Sequence, residues 1–155
     1  MNLDGAFELL EKGDYASAFK LFLGEAESVD PHAMAQVASM YTCGEGVDCN
    51  YDLAIEWEKR AYKAGHTSAA VNLGITYRIR GDLLKARCWF ETAMKNGDLE
   101  GALQLAKLYV VCRDHEQTVR SLLSMVISGE SVTEDSRLQA SELLRHMGRS
   151  SESTQ

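Results

Sequence analysis

His32, Cys43, Cys49 and His66 are the residues of this chain whose side chains could together hold a metal ion. Imidazole nitrogens and thiolates are the common ligands of zinc. Cys43 and Cys49 bracket one glycine-rich turn, and His32 and His66 open two similar segments, so the two histidines are candidates to approach one another. The spacing does not force all four to converge. No cysteine pair has the C-x-x-C spacing of a structural zinc site or a redox motif. Two turn histidines and two semi-buried thiols account for the same residues, and neither a metal nor a cofactor is expected. In a reducing compartment Cys43, Cys49, Cys88 and Cys112 read as small, mostly buried apolar residues.

Catalysis has fewer candidates still. An enzyme needs a poised nucleophile, an acid–base pair or a metal. The chain contains no G-x-S-x-G, H-E-x-x-H or phosphate-loop pattern. His115-Glu116 opens a helix, where an acid is favoured by the helix dipole without any dyad. Tyr41, Tyr77, Tyr109, Trp57 and Trp89 recur in step, which marks them as core rather than as a cage for a cofactor. A non-enzyme is expected, with a hydrolase as the remote alternative.

The elements that position these residues repeat. MAQVASMY ends at Tyr41, AVNLGITY at Tyr77 and ALQLAKLY at Tyr109. Three residues before each tyrosine stands a small residue, Ala38, Gly74 or Ala106, and four before it Val37, Leu73 or Leu105. A second segment keeps the same phase: Ala54, Trp57, Ala61 and Gly65 fall on Ala86, Trp89, Ala93 and Gly97, all at an offset of 32. The first tyrosine interval is 36, so four extra residues lie in the turn CGEGVDCN at 43–50. Gly13-Asp14-Tyr15, Ala18 and Phe22 match Gly81-Asp82-Leu83, Ala86 and Phe90 without a gap. Within each unit the apolar residues follow helical i, i+3/i+4, i+7 spacing. The twelve glycines fall mostly at helix ends, and Gly74 marks a close helix crossing.

The expected fold is therefore all-α: an α/α solenoid of about four helical hairpins with a C-terminal capping helix. The units run over about 1–29, 30–65, 66–97 and 98–129 within one domain, 1–147. The cap spans 133–147, with Leu138, Leu143, Leu144 and Met147 turned inward, and 148–155 forms a disordered tail. Stacked hairpins bury faces that no single hairpin can bury, and polar terminal units close the ends.

Residues 1–58 hold 12 acids and 2 bases, a net −10, and residues 59–155 hold 11 acids and 14 bases, a net +3. An acidic half disfavours nucleic acid, whose phosphates need a basic surface, and suits a basic partner. Solvation of exposed helix faces accounts for the same acids. No apolar run approaches the roughly 18 residues of a membrane span. The start MNLDGAFELLEKGD lacks the basic and apolar pattern of a signal peptide, so a cytoplasmic location and no membrane are expected.

These residues resemble the Sel-one-like repeat family, a branch of the tetratricopeptide superfamily. Residues 33–70 carry A-M-A-Q-V-A-S-M-Y-T-C-G-E-G-V and L-A-I-E-W-E-K-R-A-Y-K-A-G-H-T-S-A, with G-E-G-V at 44–47 and A-G-H at 64–66 the most specific matches. Residues 70–102 give a second copy, and the other two units are nearer to generic tetratricopeptide hairpins. The resemblance implies a right-handed superhelix, hence a right-handed α/α solenoid, whose concave face is lined by first helices. Its members act as scaffolds and adaptors, and small bacterial ones as host-interaction factors or immunity proteins. A cysteine-rich branch, linked to β-lactam binding, uses regularly paired cysteines that this chain lacks.

If first helices line a groove, its row is Phe7, Leu10, Ala35, Ser39, Thr42, Val71, Ile75, Arg78, Leu103, Lys107 and Val110. Apolar anchors beside two cations suit a peptide, a helix or a protein loop. The tail helix or a second copy of the chain, as a homodimer, could fill the same row. Glu45, Asp48, Asp52, Glu56 and Glu58 form an acidic surface. The expected partner is another protein, such as a basic toxin or effector domain, bound either by an immunity-type protein or by a scaffold or regulatory adaptor.

Overall fold

The computed structural model describes residues 3–112 and 115–152, and among them it contains helices and no strand. The helices are α1 (Asp4–Glu11), α2 (Tyr15–Glu27), α3 (Pro31–Cys43), α4 (Tyr51–Lys63), α5 (Ala69–Ile79), α6 (Leu83–Lys95), α7 (Leu99–Cys112), α8 (Glu116–Ser128) and α9 (Glu134–Glu152). None is long and apolar enough to cross a membrane.

Short polar residues start these helices in the phase of the repeat. Asp14 Oδ1 accepts from the Ser17 amide, Asn50 Oδ1 from the amides of Asp52 and Leu53, and Asp82 Oδ1 from that of Lys85. Asp30 Oδ1 accepts from the Ala33 amide at 2.8 Å, with Pro31 in the first turn, and Asp98 Oδ1 accepts from Glu100 at 3.0 Å. Each bond satisfies an amide that has no partner within the helix, and losing one costs about 1 kcal/mol.

The chain divides into two compact units, with the break between Ala86 and Arg87 inside α6. In the first, α1 packs on α2, α2 on α3, α3 on α4 and α4 on α5. Small residues allow this stacking: Ala18, Ala26, Ala33, Ala38, Ala54, Ala61, Ala69 and Ala70 are fully buried. Phe22, Val37, Met40, Trp57 and Leu73 fill the space between them, each large side chain contributing about 1.5–3 kcal/mol by burial. Tyr77 is buried too, while Tyr41 is half-buried and packs edge-on against Phe19. The four-residue insertion is a packed element. Asn50 N–H donates to the Tyr41 carbonyl, and Gly46 lies so close to the start of α2 that a Cβ there would overlap the Tyr15 carbonyl.

In the second unit α7 packs on α8, and α9 packs on both. Its core holds Phe90 and Ala93 of α6, Leu103, Leu105, Ala106 and Leu108 of α7, and Val119, Leu122, Leu123 and Val126 of α8. A Cβ on Gly101 would come within 2.7 Å of Ala93 Cβ and the Phe90 carbonyl, so the start of α7 lies directly on α6.

The last helix differs from its expected form. It runs on to Glu152, past 147, so residues 148–152 of the expected tail are helical; 153–155 lie outside the described residues. Leu138 points outward, because the inward stripe is Ser136, Ala140, Leu143, Leu144 and Met147. Cys43, Cys49 and Cys88 are exposed rather than buried, the first two flanking the inserted turn and the third on the outer side of α6.

Candidate functional site

The groove row is mixed in its exposure. On α1, Phe7 is 40% exposed, with its ring edge-on to Phe22 at 5.1 Å between centroids, and Leu10 is half-buried. On α3, Ser39 is exposed, and half-buried Thr42 donates its hydroxyl to the Ala38 carbonyl at 3.0 Å. On α5, Ile75 and Arg78 are half-buried. Ala35 and Val71 are core residues instead. The reason is geometric: α3 lies between α2 and α4 and α5 buries seven of its residues, so little of the circumference of either helix remains for a partner. In the second unit Leu103 is fully buried, while Lys107 and Val110 are half-buried.

Lys107 is engaged by the tail helix. Its ammonium donates to Gln139 Oε1 at 2.6 Å, and Gln139 Nε2 donates on to Asp135. Beside them Lys107, Gln139, Glu142, Leu143 and His146 line a hollow of about 240 Å³ between α7 and α9. The position of α9 is held by Ser136, whose hydroxyl donates to Glu100 Oε2 at 2.7 Å, and by Arg137, which donates to the Gly129 carbonyl. α9 thus covers part of the face on which Lys107 lies.

Glu45, Asp48, Asp52 and Glu56 are exposed around the inserted turn and along α4. Asp52 pairs with Arg80 of the α5–α6 turn. Glu58 does not belong to this surface. It is 2% exposed, and Thr76 donates its hydroxyl to Glu58 Oε1 at 3.0 Å while Oε2 has no partner. Burial pushes its carboxyl up to about 8, against a smaller lowering by the Thr76 hydrogen bond. The sign of the side chain suggested surface, but its register did not: Glu58 stands where the neighbouring units have Phe22 and Phe90.

His32 and His66 do meet, with ring centroids 4.8 Å apart. Cys43 and Cys49 do not complete a ligand set with them, and no group of three potential ligands forms among the described residues. The Cys49 thiol instead donates to the Thr42 carbonyl at 3.4 Å. His115 stacks on Tyr109 at 5.4 Å rather than forming a dyad with Glu116, whose carboxylate takes Arg120 at 2.8 Å.

One backbone feature escaped the sequence reading. Val29 has a φ of +70° and is 64% exposed. It occupies the position where the next two units have Gly65 and Gly97, so the register carried the signal.

The helical arrangement matches solved structures. The Sel1 repeat protein from Oxalobacter formigenes aligns with a TM-score of 0.61 at 20% identity, over 85% of this chain and 64% of that one. This chain has the Sel1-like-repeat fold. A protective antigen present in uropathogenic Escherichia coli strains and displaying an SLR fold aligns with a TM-score of 0.57 at 17% identity, over 93% of this chain. This chain spans 64% and 37% of the lengths of these two proteins. No protein-family model matches the sequence, and no curated protein matches it.

Proposed function

We propose that this chain is a non-catalytic protein-binding module whose acidic part meets a basic protein. Its most concrete form is a small immunity-type protein that binds and occludes a cognate secreted toxin. The observation that carries this reading is the set of exposed carboxylates Glu45, Asp48 and Glu56, which form no ion pair among the described residues, within a segment, 1–58, that holds 11 acids besides the buried Glu58 against 2 bases. Such a field attracts a cationic partner over distance and speeds its encounter. The part of the groove row that lies outside the core, exposed Phe7 and Ser39 with half-buried Leu10, Thr42, Ile75 and Arg78, supplies apolar anchors in Phe7, Leu10 and Ile75 within the same unit.

The test starts from the partner recovered by pull-down from native lysate and titrates it with the wild type and with a Glu45→Lys, Glu56→Lys variant. The variant should associate at least tenfold more slowly at low salt, with the difference shrinking as salt rises. An unchanged affinity removes the acidic-surface reading. Turnover by the pure protein in a hydrolase screen removes the non-catalytic one.

A second observation favours an adaptor. At the α5–α6 turn Ile79, Leu83 and Leu84 are all exposed, beside a hollow of about 530 Å³ lined by Arg80, Gly81, Asp82, Leu83 and Leu84. This largely apolar face differs in chemistry from the acidic one, as a protein joining two partners requires. A toxin reading frame beside the gene favours the immunity reading, and its absence with two captured partners favours the adaptor.

A further inference from the structure

Three pairs of positions occupy the same register in successive units: Phe22 with Met40, Glu58 with Thr76, and Phe90 with Leu108. The partners in each pair are 18 residues apart, as the Thr76–Glu58 hydrogen bond records for the middle one. All six side chains are buried. In the outer pairs both members are apolar. In the middle pair both are polar, and they join α4 to α5 through a single hydrogen bond that leaves Glu58 Oε2 without a partner. A buried carboxylate with an unsatisfied oxygen is costly, whereas the neutral acid is tolerated.

No neighbouring charge relieves this. The ionisable side chains on the flanking helices are His32, Tyr41 and Cys43 of α3 and Tyr77 and Arg78 of α5. On α4 itself Asp52, Glu56, Lys59 and Arg60 are exposed. Only burial and the Thr76 hydroxyl act on Glu58.

We infer that the α4–α5 seam is a pH-sensitive joint, closed while Glu58 holds its proton and loosened when the proton leaves. The ordinary value for a glutamate is 4.5, and burial raises Glu58 to about 8. Between these values the folded chain holds one more proton than the unfolded chain, so stability falls as pH rises through the window. The unfolding equilibrium constant grows by up to about tenfold per pH unit and levels off above the folded-state value.

The experiment compares the full chain with Glu58→Gln and with a Glu58→Phe, Thr76→Met variant that restores the apolar pair of the first unit. Urea unfolding and amide hydrogen exchange are measured at pH 6 and pH 8.5 (approximate working points chosen to bracket the upper part of the window). In the wild type the unfolding constant should rise at least tenfold between them, and in both variants by less than about threefold. Exchange, corrected against the variants at the same pH, should quicken in α4 and α5 first. Equal pH dependence in all three proteins, or a loss of protection centred on other helices, overturns the inference. If the doubly substituted chain fails to fold, Glu58→Gln decides the matter alone.

Discussion

The imidazoles of His32 and His66 lie 4.8 Å apart between centroids, tilted by 60°. Burial holds His66 below the ordinary histidine value, and the neighbouring charge of His32 adds to this, while Asp30 pulls the other way. The folded state therefore prefers His66 neutral. Its favourable contribution is present above the ordinary value of 6.5 and is lost as pH falls through the lower folded value. His66→Gln should flatten the acid side of a plot of melting temperature against pH and leave the alkaline side unchanged. An acid limb as steep as that of the wild type would show that His66 does not set it. The slope is opposite in sign to that of Glu58, so where the two windows overlap, below 6.5, the two contributions offset one another.

Val29 adopts a conformation that its neighbours in register assign to glycine. Its φ is +70°, against +98° at Gly65 and +84° at Gly97. For a residue with a Cβ the left-handed region costs roughly 1–2 kcal/mol, and β-branching makes it a clear outlier. Val29→Gly removes that cost but gives the unfolded chain more freedom, worth about 0.5–1 kcal/mol in the other direction. The net expectation is a gain of about 0.5–1 kcal/mol in chemical denaturation. Gly65→Val should lose at least as much. A loss of stability in Val29→Gly would mean that the exposed valine makes contacts that outweigh its strain.

The hairpins were legible because packing repeats what sequence repeats. Tyr41, Tyr77 and Tyr109 keep phase with buried Ala38, Gly74 and Ala106, and the caps Asp14, Asn50 and Asp82 keep phase with them. The surface was less legible, for two physical reasons. An amphipathic stripe of ordinary width predicts one wet face, but α3 is packed between α2 and α4, and α5 buries seven of its residues, so Ala35 and Val71 belong to the core. A charged residue normally signals solvent, and Glu58 breaks that rule by being buried. Comparison with Phe22 and Phe90 would have exposed it, since position in the repeat outranks polarity as a guide to burial.

Core and surface members of the groove row should separate in a stability measurement. Leu103 is fully buried, and Leu103→Ala should cost about 2–5 kcal/mol depending on how far the cavity relaxes. Ser39 is exposed, and Ser39→Glu should stay within about 0.5 kcal/mol of wild type. Urea denaturation of the two variants checks both values. A similar loss in each would mean that Ser39 is covered in solution.

Gly46 answers why the inserted turn contains a second glycine. Its φ is +71°, close to the +73° of Gly44, so conformation alone does not distinguish the two. Surroundings do. A Cβ on Gly44 would meet Cys49 Cβ at 3.4 Å, whereas one on Gly46 would overlap the carbonyl of Tyr15 and come within 2.8 Å of the Ala16 amide nitrogen. Both of the latter belong to the backbone of α2, which cannot turn aside as a flexible side chain would. Gly46→Ala should therefore lose the conformational cost of roughly 1–2 kcal/mol and a further 1–3 kcal/mol from overpacking. Gly81→Ala is the matched control, since its φ is +90° and a Cβ there meets nothing within 4 Å, so only the conformational part should appear. Equal losses in the two variants would mean that the 43–50 turn moves away from α2 at little cost, and that its packing there does not hold the connection between α3 and α4 in place.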